Sequence, residues 1–334
     1  MTYPSPAPSP MPARGPASRD VIVSEVGPRD GLQSLKRIMP TAAKIAWIKA
    51  LAAAGLPEIE IGSFVSPKLL PQMADAADVA AATVRLSGVD ILALAPNLKG
   101  AERAFAAGIH KLTMPVSASR LHSQSNINRT PEEAVADVAK VCLCRNALEA
   151  DHLAGRGRPV VEVGISTAFG CTMEGAVSED WVIDLAVMLA KAGADIVNLS
   201  DTTGMGNPAQ VKRLFLRLRH ELGDRAGGAH LHNTRGQGLA NVVAALDAGV
   251  TTFDSSQGGL GGCPYAPGAT GNIVTEDLVF LLEAMGLNTG VDIARLIGAR
   301  SILSEALPGE PLYGHVAEAG LPRGFVMAAS RGST

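Results

Sequence analysis

The chain has 334 residues, of which 47% are hydrophobic and 18% are charged, and its formal net charge is −3. This composition allows a large buried core, and the slightly negative charge excludes a general attraction to nucleic acid or to an anionic membrane surface. No apolar run reaches the roughly 20 residues that span a bilayer. We therefore expect neither a nucleic-acid nor a membrane partner, and an anionic substrate would need local cationic or backbone N–H groups.

Residues 1–19 form a proline-rich start to the chain. Large apolar side chains are scarce there and prolines prevent the amphipathic helix of a transit peptide, so the segment is predicted to be a disordered tail. The four cysteines, Cys142, Cys144, Cys171 and Cys263, contain no Cys-x-x-Cys pair, and no secretory apolar segment precedes them. A reducing, cytoplasmic location is the expectation.

From residue 21 onward, short β-branched segments alternate with Ala/Leu-rich segments of helical period. Strands are predicted at 21–26, 58–62, 90–94, 110–114, 160–166, 196–200, 229–232 and 251–255. Helices are predicted at 41–54, 70–84, 98–107, 131–150, 180–192, 208–222, 238–248 and 275–285.

This alternation predicts a parallel sheet closed as a (β/α)₈ TIM barrel over residues 20–290. An open doubly wound sheet is the alternative, but no G-x-G-x-x-G follows the first strand. Residues 291–334 are predicted to be a short C-terminal helical extension and tail.

Polar residues cluster where several predicted strands end, and in a TIM barrel those ends carry the active site. They are Glu25, Arg29, Asp30 and Gln33 after strand 1, Glu60 and Ser63 on strand 2, Asp201 after strand 6, His230 and His232 on strand 7, and Asn272 beyond strand 8.

His230 and His232 stand two apart on a strand, so their side chains point to the same face. Two imidazoles on one face suit a metal ion, and Asp30 and Asn272 could add oxygen ligands. A nitrogen and oxygen donor set without thiolates favours Mg²⁺ or Mn²⁺. The alternative is a pair of hydrogen-bonded core histidines.

Arg29 keeps its charge and could hold an oxyanion beside a metal. It could equally form a salt bridge to Glu60 or Asp201. Glu25, Glu60 and Asp201 are predicted to orient Arg29 and the histidines rather than to react themselves.

Cys263 lies in Gly-Gly-Leu-Gly-Gly-Cys-Pro-Tyr, residues 258–265. Glycines on one side and a proline on the other predict a flexible loop that delivers one reactive thiol. The alternative is a surface turn with an incidental cysteine. Cys142 and Cys144 lie in a helical pattern and are predicted to pack in the core.

Together these segments resemble the hydroxymethylglutaryl-CoA lyase family, metal-dependent TIM-barrel lyases related to isopropylmalate and homocitrate synthases. The resemblance covers about residues 20–290, and the cysteine loop is its most specific part. The matching segments are Glu-Val-Gly-Pro-Arg-Asp-Gly-Leu-Gln (25–33), Ser-Phe-Val-Ser-Pro-Lys (63–68), Pro-Asn-Leu-Lys-Gly (96–100), Asp-Thr-Thr-Gly (201–204), His-x-His (230–232) and the run at 259–279.

The resemblance implies cleavage of 3-hydroxy-3-methylglutaryl-CoA to acetyl-CoA and acetoacetate, with an acyl-CoA as the small-molecule partner. It assigns the site residues as follows: Asp30, His230, His232 and Asn272 as metal ligands, Arg29 as the electrophilic cation, Cys263 as the mobile catalytic thiol, Glu60 and Asp201 as acids near the site, and Lys36 on the substrate side.

Three positions depart from the family pattern: Asn233 replaces a common Asp, Arg120 a common Glu, and Gly164 a tyrosine near the acyl group. Their effect on the pocket leaves a related tertiary 3-hydroxyacyl-CoA, such as citramalyl-CoA or a longer branched acid, as an alternative substrate. Condensation, a pyruvate-type aldolase activity and a non-catalytic metal-binding scaffold are the competing functions. A homodimer or higher homo-oligomer is expected.

Overall fold

Eight parallel strands close into a barrel in the computed structural model, which describes residues 19–261 and 271–333. Each strand pairs with the next along the chain, and the last pairs with the first. The strands are β1 (Ile22–Glu25), β2 (Glu58–Ser63), β3 (Asp90–Leu94), β4 (Lys111–Ser117), β5 (Val160–Ser166), β6 (Ile196–Asp201), β7 (Ala226–Leu231) and β8 (Thr252–Ser255). The predicted TIM barrel is confirmed.

Helices follow the strands and cover the outside of the barrel. They are α1 (Thr41–Ala53), α2 (Ala76–Thr83), α3 (Leu98–Ala106), α4 (Arg120–Ile127), α5 (Pro131–Asn146), α6 (Glu179–Lys191), α7 (Pro208–Leu222), α8 (Gly238–Asp247), α9 (Thr275–Ala284), α10 (Ile293–Ala306) and α11 (His315–Ala319). Within the described part of the chain, none is both long and apolar enough to cross a membrane.

Several predicted elements differ in extent from those observed. The strand predicted at 229–232 is β7, which begins at Ala226 and ends at Leu231, and the helix predicted at 131–150 is α5, which ends at Asn146. The helix predicted at 70–84 is a short 3₁₀ turn, Pro71–Met73, followed by α2. The strand predicted at 110–114 is longer, because β4 stays paired with β5 as far as Ser117 opposite Ser166.

Helix α4 was not predicted, since its sequence is mostly polar. Its start could have been found from Ser119, whose side chain accepts a hydrogen bond from the His122 N–H as an N-cap.

The main apolar core lies between the barrel and its helices, while the barrel interior is polar. Along β1, Val23 is fully buried in the apolar core, whereas the next residue, Ser24, lines an internal cavity. This follows from the two-residue period of a strand, which sends neighbouring side chains to opposite faces. Polar inward positions therefore leave room inside the barrel for a ligand.

Candidate active site

A cavity of about 520 Å³ occupies the barrel interior and the loops beyond the strand ends. Polar side chains form its inner wall, and apolar residues such as Leu69, Leu94 and Ile127 contribute to the wall nearer the loops. The inner residues include Ser24, Arg29, Asp30, Glu60, Thr113, Glu162, Asn198, His230, His232 and Asp254.

Asp30, His230 and His232 meet in this cavity. One ligand atom from each lies within 4.8 Å of the other two. The two histidine Nε2 atoms are 3.2 Å apart, and His230 Nε2 is 4.0 Å from Asp30 Oδ2. These residues are about 200 positions apart in the chain, so the predicted cluster is brought together only by closure of the barrel.

Asp30 owes its position to a single turn of π-helix, Gly27–Gly31, directly after β1. The backbone N–H groups of Arg29 and Asp30 both donate to the Val26 carbonyl, at 3.1 and 2.7 Å. Such π turns are rare and occur mostly at functional sites. This one turns the Arg29 and Asp30 side chains into the cavity.

Asn272 is the fourth predicted ligand and lies beside the cluster. It forms an isolated antiparallel bridge with His232, and its Nδ2 donates to Asp30 Oδ2 at 2.6 Å. Its Oδ1 is buried with no hydrogen-bond partner among the described residues, and the same is true of His232 Nδ1. An unsatisfied buried polar atom is costly, so Asn272 Oδ1, beside the Asp30 carboxylate, marks a site that a bound ligand would complete.

The charges inside the barrel also fit a cation. Five buried or half-buried carboxylates of the described chain face only two fixed cations, Arg29 and Lys111. An excess of buried negative charge must be neutralised by protons or by a metal. The carboxylates are Asp30, Glu58, Glu60, Glu162 and Asp254.

The two histidines have different protonation properties. Burial, reinforced by the nearby His230, lowers the pKa of His232 to about 4, so this imidazole is neutral near pH 7. Burial also disfavours the charged form of His230, but its hydrogen bond to Asp254 and the Asp254 and Asp30 charges raise its pKa above the ordinary 6.5. A metal at this site would therefore compete with a proton for His230.

Arg29 lies between two carboxylates. Its Nε donates to Glu60 Oε2 and its Nη1 to Asp30 Oδ1, each at 2.5 Å. Burial works against its charge, but Glu60 and Asp30 outweigh burial and raise the pKa of Arg29 above its ordinary value. The same contact lowers the pKa of Asp30 despite its burial, so Asp30 is ionised. The salt bridge considered from sequence is thus formed with Glu60.

Asp254 is a cavity residue that sequence reasoning missed. Its Oδ2 lies 3.0 Å from His230 Nδ1 and therefore directs Nε2 of that ring toward Asp30 and His232. A polar residue at an inward position of β8 was the available signal. A carboxylate behind a ligating histidine fixes its tautomer and orientation.

We expect Asp254→Ala to weaken Mn²⁺ binding by about 10- to 100-fold, because the His230 ring loses the group that orients it. Asp254→Asn keeps an acceptor for Nδ1 and should lose less. Calorimetric titration with Mn²⁺ measures both. Asp247→Ala, which removes a surface partner of Lys212, is the control and should bind like wild type. Equal affinity for Asp254→Ala and wild type would contradict the assigned role.

A second group of charged side chains meets at Glu162, which lines the cavity. Lys111 Nζ lies 2.5 Å from Glu58 Oε1 and 3.6 Å from Glu162 Oε2. Burial raises the pKa of Glu162 to about 7, with the Lys111 charge opposing the shift and the Glu58 charge adding to it. The charge of Lys111 is thus matched by one carboxylate, and the second carboxylate, Glu162, gains or loses its proton near neutral pH.

Glu162→Gln should flatten the pH dependence of stability. The folded-state pKa lies above the ordinary 4.5, so the folded protein binds this proton more tightly than the unfolded chain. The resulting stabilisation is complete below about pH 4.5 and is lost as the pH rises to about 7. Urea unfolding of both proteins across this range tests it, with Glu149→Gln, a change at an exposed residue, as control. Parallel profiles for wild type and Glu162→Gln would refute it.

Three further predicted residues line the cavity: Gln33, Ser63 and Gly164. Gln33 Nε2 donates to Asp30 Oδ1 at 3.2 Å. A Cβ added at Gly164 would contact only Ser200 Oγ, at 3.6 Å, so the absent side chain leaves open space inside the barrel.

Two predicted acids act on the backbone instead of on Arg29 or the histidines. Glu25 is fully buried; its Oε1 accepts the N–H groups of Gly27 and Gln257, and its Oε2 accepts the Thr275 hydroxyl. Asp201 accepts the N–H groups of Met205 and Gly206. Both carboxylates therefore hold the loops around the site, which the sequence pattern could not distinguish from a direct contact.

Lys36 and Arg120 lie outside the cavity. Lys36 is exposed, and the Arg120 side chain is 58% exposed, paired with Glu132 and close to the Trp181 ring. Cys263 lies outside the described residues. Cys142 is buried and Cys144 is half-buried on α5, as predicted, and burial raises the pKa of Cys142 to about 11.

Comparison with known proteins identifies the family of the chain. Residues 20–303 match the family described as HMGL-like. The chain belongs to the HMGL-like family. The family resemblance and the carbon–carbon lyase class indicated by the sequence are thereby confirmed.

Individual members of the HMGL-like family are similar over most of the chain. Mitochondrial hydroxymethylglutaryl-CoA lyase of Mus musculus is 42% identical, across 88% of this chain and 87% of its own. The Bacillus subtilis hydroxymethylglutaryl-CoA lyase is 41% identical, across 89% and 96%. A solved HMG-CoA lyase of Acinetobacter baumannii, in complex with coenzyme A and 3-methylmalate, superposes with a TM-score of 0.82 at 40% identity, across 90% and 95%.

Proposed function

We propose that the protein cleaves 3-hydroxy-3-methylglutaryl-CoA into acetyl-CoA and acetoacetate with the help of a divalent cation. The observation that carries this proposal is the cluster of Asp30, His230 and His232 beside Arg29 in one buried cavity. The relatives named above share this substrate name, and none of them favours the alternative acyl-CoA substrates.

The reaction breaks the C2–C3 bond of the acyl group. The C3 hydroxyl loses its proton and becomes the ketone of acetoacetate, while C2 leaves as the enolate of acetyl-CoA and then accepts a proton. A divalent cation, when bound, lowers the pKa of a hydroxyl that contacts it. The protein must supply a base for the hydroxyl, a positive group for the enolate oxygen and an acid for C2.

Arg29 is the positive group for the thioester oxygen. It is charged at every working pH, it lines the cavity, and Glu60 and Asp30 hold it in place before substrate arrives. A positioned cation in a site shielded from water stabilises developing negative charge without reorganisation. Cys263 is the proposed acid for C2 or a proton relay, and the base remains one of His230, Asp30 and the Cys263 thiolate.

Asp30, His230, His232 and Asn272 are the proposed ligands of the cation. Two imidazole nitrogens, a carboxylate and an amide oxygen suit Mg²⁺ or Mn²⁺ better than a structural zinc site, which would be richer in thiolates. The neutral His232 and ionised Asp30 are already in the protonation states that ligands need. A cytoplasmic location and a homodimer stay predictions.

Turnover of an acyl-CoA panel, followed by acetyl-CoA release, tests the proposal. We expect a clear preference for 3-hydroxy-3-methylglutaryl-CoA over citramalyl-CoA and longer branched analogues, loss of activity with EDTA, and recovery with Mg²⁺ or Mn²⁺. A preference for another member of the panel would show that the proposed substrate is wrong. Activity that survives EDTA would exclude a role for the metal in the reaction. Metal binding without turnover of any acyl-CoA would indicate a non-catalytic scaffold.

A further inference from the structure

We propose that the C-terminal extension is a positioning element of the metal site, with Arg300 as the residue that fixes it. The part concerned, termed here the C-terminal brace, comprises Arg300 on α10 and residues 311–316. The inference rests on the proposed function only in taking Asp30 and Asn272 as metal ligands. It gives a role in positioning the metal ligands to residues that follow the last barrel strand and do not line the cavity.

Arg300 joins the brace to the barrel. One atom, its Nη1, lies 2.7 Å from Glu276 Oε1 and donates to the Tyr313 carbonyl at 2.9 Å. Glu276 is fully buried at the start of α9, while the Arg300 side chain is 15% exposed. Removing the cation would leave a buried carboxylate without its charged partner, which is strongly unfavourable.

The C-terminal brace contacts the turn that follows β8, residues 257–261. Tyr313 N–H donates to the Gly258 carbonyl at 2.8 Å, and Gly258 N–H donates to Glu276 Oε2 at 3.2 Å. A Cβ added at Gly258 would lie 3.0 Å from Leu312 Cδ2, which shows how closely the two segments approach. A second anchor is Asp277, which accepts the backbone N–H groups of residues 315 and 316.

This turn is in direct contact with Asn272 and packs closely beside Asp30, the two proposed oxygen ligands. Asn272 Nδ2 lies 3.3 Å from the Leu260 carbonyl, and a Cβ added at Gly31, next to Asp30, would lie 2.8 Å from Leu260 Cβ. A Cβ added at Gly261 would lie 2.8 Å from Asn272 Nδ2 and 3.1 Å from the Asp30 carbonyl oxygen. Because the turn packs closely against both residues, we expect a displacement of the turn to shift Asp30 or Asn272.

The chain of contacts therefore runs from Arg300 through Gly258 and Leu260 to both oxygen ligands. A metal site tolerates little displacement of its ligands, and groups that orient ligands contribute substantially to affinity. Arg300 does not face the cavity and touches no ligand, so it is a positioning residue rather than a catalytic one.

Mn²⁺ titration of the folded, substrate-free protein tests the inference, using Arg300→Met, Arg300→Lys and the control Arg295→Met. We expect about 3- to 10-fold weaker binding for Arg300→Met, less than for loss of a group that touches a ligand directly. Arg300→Lys should restore most of the affinity, because one Nζ can replace the single Nη1. Arg295, on the same helix and 68% exposed, contacts Asp292 and the Ala53 carbonyl at the surface. Arg295→Met should therefore bind Mn²⁺ with wild-type affinity.

Unfolding free energies of the same variants separate the two possible roles. A loss of stability in Arg300→Met with wild-type Mn²⁺ affinity would show that the brace is only structural and would overturn the inference. So would equal weakening in Arg300→Met and Arg295→Met. These titrations contain no substrate, so they test the role of Arg300 independently of the reaction. If wild type did not cleave 3-hydroxy-3-methylglutaryl-CoA, only the proposed function would be overturned.

Discussion

Arg29→Lys should lower kcat for 3-hydroxy-3-methylglutaryl-CoA by about 10²- to 10³-fold, the loss typical of removing one group that stabilises an oxyanion. Lysine keeps a positive charge between Glu60 and Asp30, so the buried carboxylates stay matched and the fold should persist. It cannot reproduce the planar fork of arginine. In wild type, Nε and Nη1 are used for Glu60 and Asp30, and no described residue hydrogen-bonds Nη2.

The comparison of kcat with Mn²⁺ affinity makes this result specific. Because Asp30 is also a proposed ligand, a small loss of Mn²⁺ affinity is expected, and assays at saturating Mn²⁺ remove its influence. Arg120→Lys, which changes an exposed arginine outside the cavity, is the matched control and should leave kcat unchanged. A folded Arg29→Lys enzyme with kcat near wild type would exclude Arg29 as the oxyanion group.

Cys263→Ser should lower kcat by about 10²- to 10⁴-fold, the range of a lost general acid or base, with Mn²⁺ affinity unchanged. A serine hydroxyl has nearly the same size as the thiol but is a far weaker acid. Cys263 itself lies outside the described residues, but both flanks of its loop adjoin the site. Gly261 and Asn272 are in close contact with each other and with Asp30.

Covalent geometry strengthens this expectation, because two residues of extended chain span at most about 7 Å. Cys263 follows Gly261 by two positions, and Gly261 is packed against Asn272 and the Asp30 backbone. Cys144→Ser changes a half-buried thiol on α5 that does not line the cavity, and it should retain full turnover. Full turnover by Cys263→Ser would remove this thiol from the mechanism.

Several site residues could be recognised from local pattern alone. The alternation of strands and helices sufficed for the barrel, and the barrel in turn selected the strand ends as the place to look for chemistry. His230 and His232 share a face because extended chain has a two-residue period, which continues past the end of β7 at Leu231 to His232. Arg29 and Asp30 lie in the turn that follows β1. Each of these inferences uses only the spacing of residues that lie a few positions apart, and that spacing can be read directly from the sequence.

Roles that depend on long-range contacts could not be inferred in this way. Glu25, Glu60 and Asp254 are all acidic residues on or at the end of a strand, yet Glu25 binds backbone N–H groups, Glu60 binds Arg29, and Asp254 orients His230. Their roles depend on which neighbour the barrel places within about 3 Å, the distance at which a hydrogen bond forms.

The amino-acid sequence by itself therefore determined the fold class, the end of the barrel that carries the site and the types of side chain available there, since these follow from periodicity and residue chemistry. The tertiary structure alone decided which carboxylate meets which cation and that Arg300 connects to the metal ligands. Those facts depend on contacts between residues up to about 250 positions apart, and such contacts exist only once the barrel has closed and its C-terminal extension has packed against it.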